Sequence, residues 1–181
     1  HDNILLNEVT SLVEYPEVYV GNFNKSFLSI PQECLILAMK QHQKYFPLFD
    51  NEGNLLSKFL MVSNIRTNMS SAIIRGNEKV LQARLADAEF FYNQDRKKKL
   101  ASHIEKLNGV VYHNKLGTLR DRVDRLSKIA QEIGLHLEGK KLAILASEVA
   151  MLSKSDLLTD MVGEFPELQG IMGRYYATHD G

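Results

Sequence analysis

Gly117-Thr118-Leu119-Arg120-Asp121-Arg122-Val123-Asp124-Arg125-Leu126-Ser127-Lys128-Ile129-Ala130-Gln131-Glu132-Ile133-Gly134 carries the clearest periodic signal in the 181-residue chain. Leu119, Val123, Leu126, Ala130 and Ile133 recur at steps of three and four, which lines them along one side of a helix. Thr118 and Asp121 stand at capping-box spacing ahead of the run, and Gly134 is expected to stop it. The helical period extends in both directions. Toward the C-terminus, Leu142, Leu145, Val149 and Leu152 predict another helix, then a helical turn over 156–162 that Gly163 and Pro166 break. An apolar and aromatic segment, Leu168 to Ala177, leads to His179-Asp180-Gly181. Toward the N-terminus, Leu81, Leu85, Ala88 and Tyr92 follow helical spacing and predict a helix over 77–98, with a second over 99–107.

Before about Ser71 the pattern changes. Tyr45 to Phe49 and Lys58 to Ile65 are strand-like runs around Asp50-Asn51-Glu52-Gly53-Asn54, a turn composition, so a β-hairpin is expected. Pro47 cannot donate to a ladder, which makes the first strand an edge or bulged strand. Ile4, Leu5, Val9, Leu12 and Val13 predict a short helix that stops before Pro16, and Val18-Tyr19-Val20 a short strand or loop. Ser29 and Gln32 have capping-box spacing, with Pro31 in the first turn of a helix over 30–41. The expected fold is α+β and mostly α-helical. A small N-terminal α/β portion with a hairpin covers residues 1–72, and an all-helical domain covers 73–181.

Composition narrows the class. With 44% apolar and 24% charged residues the chain can bury a core, which excludes wholesale disorder. Its uninterrupted apolar runs, such as Phe59 to Val62, are only a few residues long and fall far short of the roughly 20 a membrane span needs. His1-Asp2-Asn3 offers neither an initiator Met nor a basic segment leading into an apolar one, so no export signal is expected and the chain is read as beginning mid-protein. The single cysteine, Cys34, precludes an internal disulfide and suits a reducing, cytoplasmic location.

Overall neutrality, 22 basic against 22 acidic residues, conceals a segregation. Residues 1–59 carry four basic and seven acidic residues, 60–130 carry 14 and seven, and 131–181 carry four and eight. The basic middle is densest at Arg96-Lys97-Lys98-Lys99, with Arg120, Arg122 and Arg125 beyond it. Arg122 and Arg125 share a helix face from which Arg120 points away. Such a surface fits a phosphate backbone, and it also fits a solvated helix whose arginines are neutralised by Asp121 and Asp124. The histidines (His1, His42, His103, His113, His136 and His179) lack zinc-ligand spacing. His1-Asp2 and His179-Asp180 are bare dipeptides, no Walker loop or G-x-S-x-G elbow exists, and Cys34 lies in an apolar stripe. No self-contained active site and no metal site is expected.

Longer motifs are more specific. His42-Gln43-Lys44-Tyr45-Phe46-Pro47-Leu48, Phe59 to Asn64, Gly76-Asn77-Glu78-Lys79-Val80, and Arg84-Leu85-Ala86-Asp87-Ala88-Glu89-Phe90-Phe91 are followed by Leu116-Gly117-Thr118-Leu119-Arg120-Asp121. A terminal block then runs from Lys154-Ser155-Asp156-Leu157-Leu158-Thr159-Asp160-Met161-Val162 through Glu164-Phe165-Pro166-Glu167-Leu168-Gln169-Gly170 to Tyr175-Tyr176-Ala177. Together these resemble the beta subunit of the bacterial two-subunit glycine-tRNA ligase. The resemblance implies a central fragment of a much longer chain, with 1–72 the end of a B3/B4-like module and 73–181 an HD-like helical domain. It also implies an alpha subunit that activates glycine with ATP and Mg²⁺, an alpha2-beta2 assembly, and a beta subunit needed for the glycine tRNA. The fragment itself would not be catalytic and would need no cofactor of its own. On this reading Arg96, Lys97, Lys98, Lys99, Arg122 and Arg125 are the candidate tRNA-binding residues.

HD phosphohydrolases hold a metal with an early His, a His-Asp pair and a later Asp. Laid on that pattern, the helix from Leu119 offers Leu119, Thr118 or Arg120 at the first position and Ser155-Asp156 at the pair, so only Asp156 survives. One carboxylate does not assemble a catalytic metal centre, and the domain is expected to be a fold retained for binding. The rival readings are an active HD-type phosphohydrolase and a helical scaffold that touches only protein.

Overall fold

The computed structural model describes residues 2–181, so His1 and the His1-Asp2 dipeptide lie outside the described residues. The chain divides into two compact units, up to Phe90 and from Phe91. The expected α+β, mostly helical architecture is present.

In the first unit, helix α1 (Asn3–Leu12) starts at Asp2, whose side chain accepts from Leu5 N at 3.0 Å. Lys40 Nζ lies 2.8 Å from the same carboxylate and, with the Leu5 amide, holds it below the usual carboxylate range. Strand β1 (Glu17–Asn22) realises the Val18-Tyr19-Val20 expectation. Ser29 ends a 3₁₀ turn (Lys25–Ser29), and Gln32 opens α2 (Gln32–Leu37), whose N-cap is Pro31 without a side-chain bond. The expected Ser29–Gln32 capping box is therefore absent, because Ser29 closes the preceding turn. Helix α2 widens into a π turn (Ala38–His42); Lys44 then adopts φ 56° and Tyr45 N donates to Met39 O at 3.0 Å.

Strands β2 (Phe46–Phe49) and β3 (Leu55–Ser63) form the expected hairpin. Its turn is tied by Asp50, which accepts from Glu52 N at 2.9 Å and Asn54 N at 2.8 Å, with Gly53 at φ 84°. The sheet order is β1-β3-β2, all antiparallel, and the ladder is irregular between Pro47 and Phe49 on the edge strand. Gly21 pairs with Phe59, and a Cβ there would collide with the ring. The fully buried Phe59 thus lies over a glycine and stacks on Tyr45 at 4.7 Å between centroids. Cys34 is buried at 0% exposure, and burial first, then Glu33, pushes its thiol up to about 12. A thiol reagent at pH 8 is expected to leave Cys34 unmodified in the folded chain and to modify it fully in denaturant; rapid labelling of native protein would show that α2 opens.

Helix α3 (Ser70–Asp95) begins seven residues before the expected 77 and ends three before 98. The change of hydrophobic period near Ser71 marks its start. Residues 99–107 form no regular α-helix; they make two 3₁₀ turns, Leu100–His103 and Glu105–Gly109. The second unit is also not all-helical, because β4 (Val111–His113) and β5 (Gly117–Thr118) pair as a short antiparallel ribbon. The ribbon delivers Thr118 to its cap: its side chain accepts from Asp121 N at 3.2 Å while Asp121 Oδ2 accepts from Thr118 N at 2.7 Å. This is the expected capping box, and it opens α4 (Leu119–Glu138).

Gly134 does not stop α4. The helix runs to Glu138 and closes on Gly139 at φ 79°, from which α5 (Lys140–Leu152) turns back. At Gly134 the two helices approach so closely that a Cβ would meet the Ala143 backbone at 2.9 Å, and Ser127 Oγ lies 2.7 Å from Ser147 Oγ across the same seam. A 3₁₀ turn (Ser155–Leu158), α6 (Asp160–Glu164), a 3₁₀ turn (Pro166–Leu168) and α7 (Ile171–Asp180) complete the unit. Its core holds Leu107, Val123, Met161, Leu168 and Met172.

Candidate nucleic-acid interface

The candidate cations fall into two groups within the second unit. Arg96 to Lys99 occupy the turn after α3. Lys97, Lys98 and Lys99 are exposed, and none of the three makes an ion pair among the described residues. Lys97 Nζ donates to Gln94 Oε1 at 2.7 Å, a neutral contact that leaves the charge available. Arg96 differs from its neighbours. Its guanidinium lies 5.1 Å over the Tyr92 ring and donates to His179 Nδ1 at 3.1 Å, so much of it is taken up inside the protein.

This corner is braced by a dipeptide that sequence reading sets aside. His179 meets Arg96, while Asp180 Oδ2 accepts from Leu100 N at 2.6 Å and caps the turn that follows the lysines. His179-Asp180 is thus a clamp on the basic corner. Below it, Asp95 is buried at 9% exposure and accepts from Asp160 N at 2.9 Å, Met161 N at 3.0 Å and Tyr176 Oη at 2.8 Å. Sequence reading missed Asp95, although it continues the Leu81-Leu85-Ala88-Tyr92 stripe by three residues, and a carboxylate on an apolar stripe signals a buried acceptor. His103 lies nearby, and burial first, then Lys106, holds its imidazole below the usual histidine value. That environment disfavours its charged form, so it is not counted with the cations of the corner.

On α4 the arginines differ in their ion pairing. Arg120 donates to Glu105 at 2.6 Å and to Asp124 at 3.0 Å, and those two bonds hold its charge in place. Asp121 is committed to the Thr118 cap, whose donors keep its carboxyl below the usual range. Asp124 therefore neutralises Arg120, and Arg122 and Arg125 make no ion pair among the described residues. Arg122 lies 4.3 Å over the Tyr112 ring on the β4 strand, and Arg125 is exposed.

Asp156 is buried at 1% exposure beside the fully buried Ser155. Its Oδ2 accepts from Gly170 N at 2.5 Å and Gly173 N at 3.3 Å, and a Cβ on Gly173 would come within 3.1 Å of that oxygen. The carboxylate holds the start of α7. Among the described residues no three His, Cys, Asp or Glu side chains come together as a metal-ligand group, and no helix is long and apolar enough to cross a membrane.

The chain matches, over residues 1–181, the family described as glycyl-tRNA synthetase beta subunit. It is 61% identical over 180 residues to the glycine-tRNA ligase beta subunit of Dechloromonas aromatica, which covers 99% of this chain and 25% of that protein. The corresponding protein of Thiobacillus denitrificans is 59% identical over 180 residues, covering 99% and 26%. That of Neisseria meningitidis is 57% identical over 180 residues, again covering 99% and 26%. These relatives are subunits of an aminoacyl-tRNA synthetase. This chain belongs to the glycyl-tRNA synthetase beta-subunit family, and it spans about a quarter of the length of the curated relatives it matches.

Proposed function

We propose that this part of the beta subunit helps to bind and position glycine tRNA for the ligase, with Lys97, Lys98, Lys99, Arg122 and Arg125 meeting backbone phosphates. The observation that carries the reading is the separation of paired from unpaired cations. Arg120 is consumed by two carboxylates, while Arg122, Arg125 and the lysine corner make no ion pair among the described residues, Arg125 having only the nearby field of Asp121. Arg96 contributes by fixing the corner through Tyr92 and His179. The reading places the fragment in an alpha2-beta2 enzyme, in the cytoplasm, where the B3/B4-like and HD-like portions support the alpha subunit. ATP and Mg²⁺ belong to the alpha subunit on this reading.

Binding of glycine tRNA and of a non-cognate tRNA to the complete alpha-beta enzyme, measured across salt concentrations, tests this. Removing one phosphate contact should lower the log-log salt slope by roughly one unit, so the triple Lys97, Lys98, Lys99→Ala variant should lose up to about three. Both tRNAs should weaken by similar factors, since phosphate contacts carry no base sequence. Arg120→Ala, which removes an already neutralised charge, should leave the slope unchanged. An unaltered slope in the triple variant would return the cluster to a solvated surface, and a loss confined to glycine tRNA would show base reading instead.

A further inference from the structure

The β4–β5 ribbon holds an aromatic ring beside cations that no carboxylate claims. Val111 pairs with Thr118 and His113 with Gly117, so Tyr112 is the extra residue of a bulge with no residue opposite it, a local kink that re-aims its side chain. Thr118 caps α4, which places Arg122 one helical turn further on, and its guanidinium carbon lies 4.3 Å over the Tyr112 ring. Tyr112 is nevertheless 40% exposed.

The stack of Arg96 on Tyr92 differs in kind. Tyr92 also stacks on the buried Tyr176 at 5.9 Å, and Arg96 donates to His179, so both members are engaged within the unit. Among the described residues no second ring pairs with Tyr112, and no carboxylate pairs with Arg122. The surroundings are positive. Residues 111–125 carry four basic and two acidic residues, and Asp124 is held with Glu105 on Arg120. Lys115, in the ribbon's loop, and Arg125 are exposed and make no ion pair among the described residues, and Asp121 is committed to the Thr118 cap.

We infer that the Tyr112–Arg122 stack is a platform for an unpaired nucleotide of the tRNA, whose base stacks on the pair while Arg122, Arg125 and Lys115 meet the phosphates beside it. The inference rests on the tRNA reading above and adds a base contact that phosphate binding does not supply. A paired RNA helix presents phosphates and keeps its base faces inside, so an exposed ring among the cations gains nothing from it. An unpaired base offers a π-face to either the ring or the guanidinium plane. Stacking occupies only the face of the Arg122 guanidinium and leaves its in-plane N–H donors for a phosphate, so one side chain serves both parts of a nucleotide. The excess positive charge matches a polyanion. Every base has a π-face, so the platform selects an unpaired nucleotide without reading its identity.

The test uses the complete alpha-beta enzyme and glycine tRNA. Tyr112→Val, which keeps a strand-forming residue, should weaken binding about tenfold with an unchanged log-log salt slope, because stacking releases no counterion. Tyr112→Phe retains the ring and should bind within roughly twofold of wild type. With 2-aminopurine placed in turn at the unpaired positions of the tRNA, at least one position should be quenched on binding wild type and less quenched on binding Tyr112→Val. If Tyr112→Val does not fold, Tyr112→Trp decides: its larger π-face should hold or tighten binding, and weaker binding would overturn the inference. Unchanged affinity in Tyr112→Val overturns it, as does the absence of any position whose quenching depends on Tyr112. A loss accompanied by a slope lower by roughly one unit also overturns it, since Tyr112 would then only hold Arg122 against a phosphate. Weakened alpha-beta association in place of weakened tRNA binding would assign the stack to a protein contact and overturn it too. A silent Tyr112→Val beside a lowered slope in the Lys97, Lys98, Lys99→Ala variant sinks this inference alone, whereas silence in both sinks the tRNA reading with it.

Discussion

Gly134→Val is expected to destabilise the second unit by about 3 kcal/mol or more, a large part of the roughly 5–15 kcal/mol that holds a typical domain folded. A Cβ at Gly134 would lie 2.9 Å from both Cα and N of Ala143 and 3.0 Å from the carbonyl carbon of Leu142. All three are backbone atoms, so no rotamer change relieves the contact, and α4 and α5 must move apart along a seam that also carries the Ser127–Ser147 bond. Gly134→Ala should cost about 1–2 kcal/mol net, because overpacking of about 1–3 kcal/mol is offset by roughly 1 kcal/mol of helix propensity. The control has the opposite sign. Gly76 also lies inside a helix, α3, but a methyl group added there would meet nothing within 4 Å, and Gly76→Ala should stabilise by roughly 0.5–1 kcal/mol. Urea unfolding of the three variants measures this directly. A Gly134→Ala variant as stable as wild type would mean that the hairpin seam is looser than its geometry.

The contrast between these glycines also shows what the sequence made legible. Two local signals read correctly, since Asp50 to Asn54 builds its own turn and Thr118 and Asp121 cap their helix from three residues apart. Ser29 and Gln32, at the same spacing, are instead separated by the 3₁₀ turn that Ser29 closes. Gly134 read as a stop because glycine marks both helix ends and close approaches, and Ala143, which distinguishes them, arrives only after the chain turns back. Residues 99–107 have helical composition but become two 3₁₀ turns, the first of which is capped at the Leu100 amide by Asp180, some eighty residues away and out of reach of a local reading. The pairing of β1 with β3 is equally non-local, and only Gly21 opposite Phe59 hints at it. In the candidate interface, charge density was visible in the sequence while charge pairing was not. The Arg120 contact to Glu105 spans fifteen residues and separates that arginine from Arg122 and Arg125, which the sequence alone could divide only by helix face.

Asp95→Ala is the other large effect, with an expected loss of about 3 kcal/mol or more. The substitution removes an acceptor that serves two backbone amides and a phenol at once, and Met161 N and Tyr176 Oη both lie in buried surroundings. Each buried donor left without a partner costs about 1–3 kcal/mol, so the sum exceeds what any single one of these bonds contributes. Asp95→Asn should lose nearly as much. An amide keeps one acceptor oxygen, and its NH₂ group then faces a donor, either the Asp160 amide on one side or Met161 N and Tyr176 Oη on the other. Tyr176→Phe removes one donor while Asp95 keeps its two amide bonds, so it should cost only about 1 kcal/mol. The order Asp95→Ala ≥ Asp95→Asn > Tyr176→Phe, read from urea midpoints at constant m-value, separates a hydrogen-bond hub from a simple charge effect. If Asp95→Asn matched wild type, the carboxylate would be replaceable by any polar group and the three-donor account would fail. Because Asp95 immediately precedes Arg96 and the lysines, the same variants should also loosen the basic corner, and faster hydrogen exchange at Leu100 in Asp95→Ala would register that coupling between fold and candidate interface.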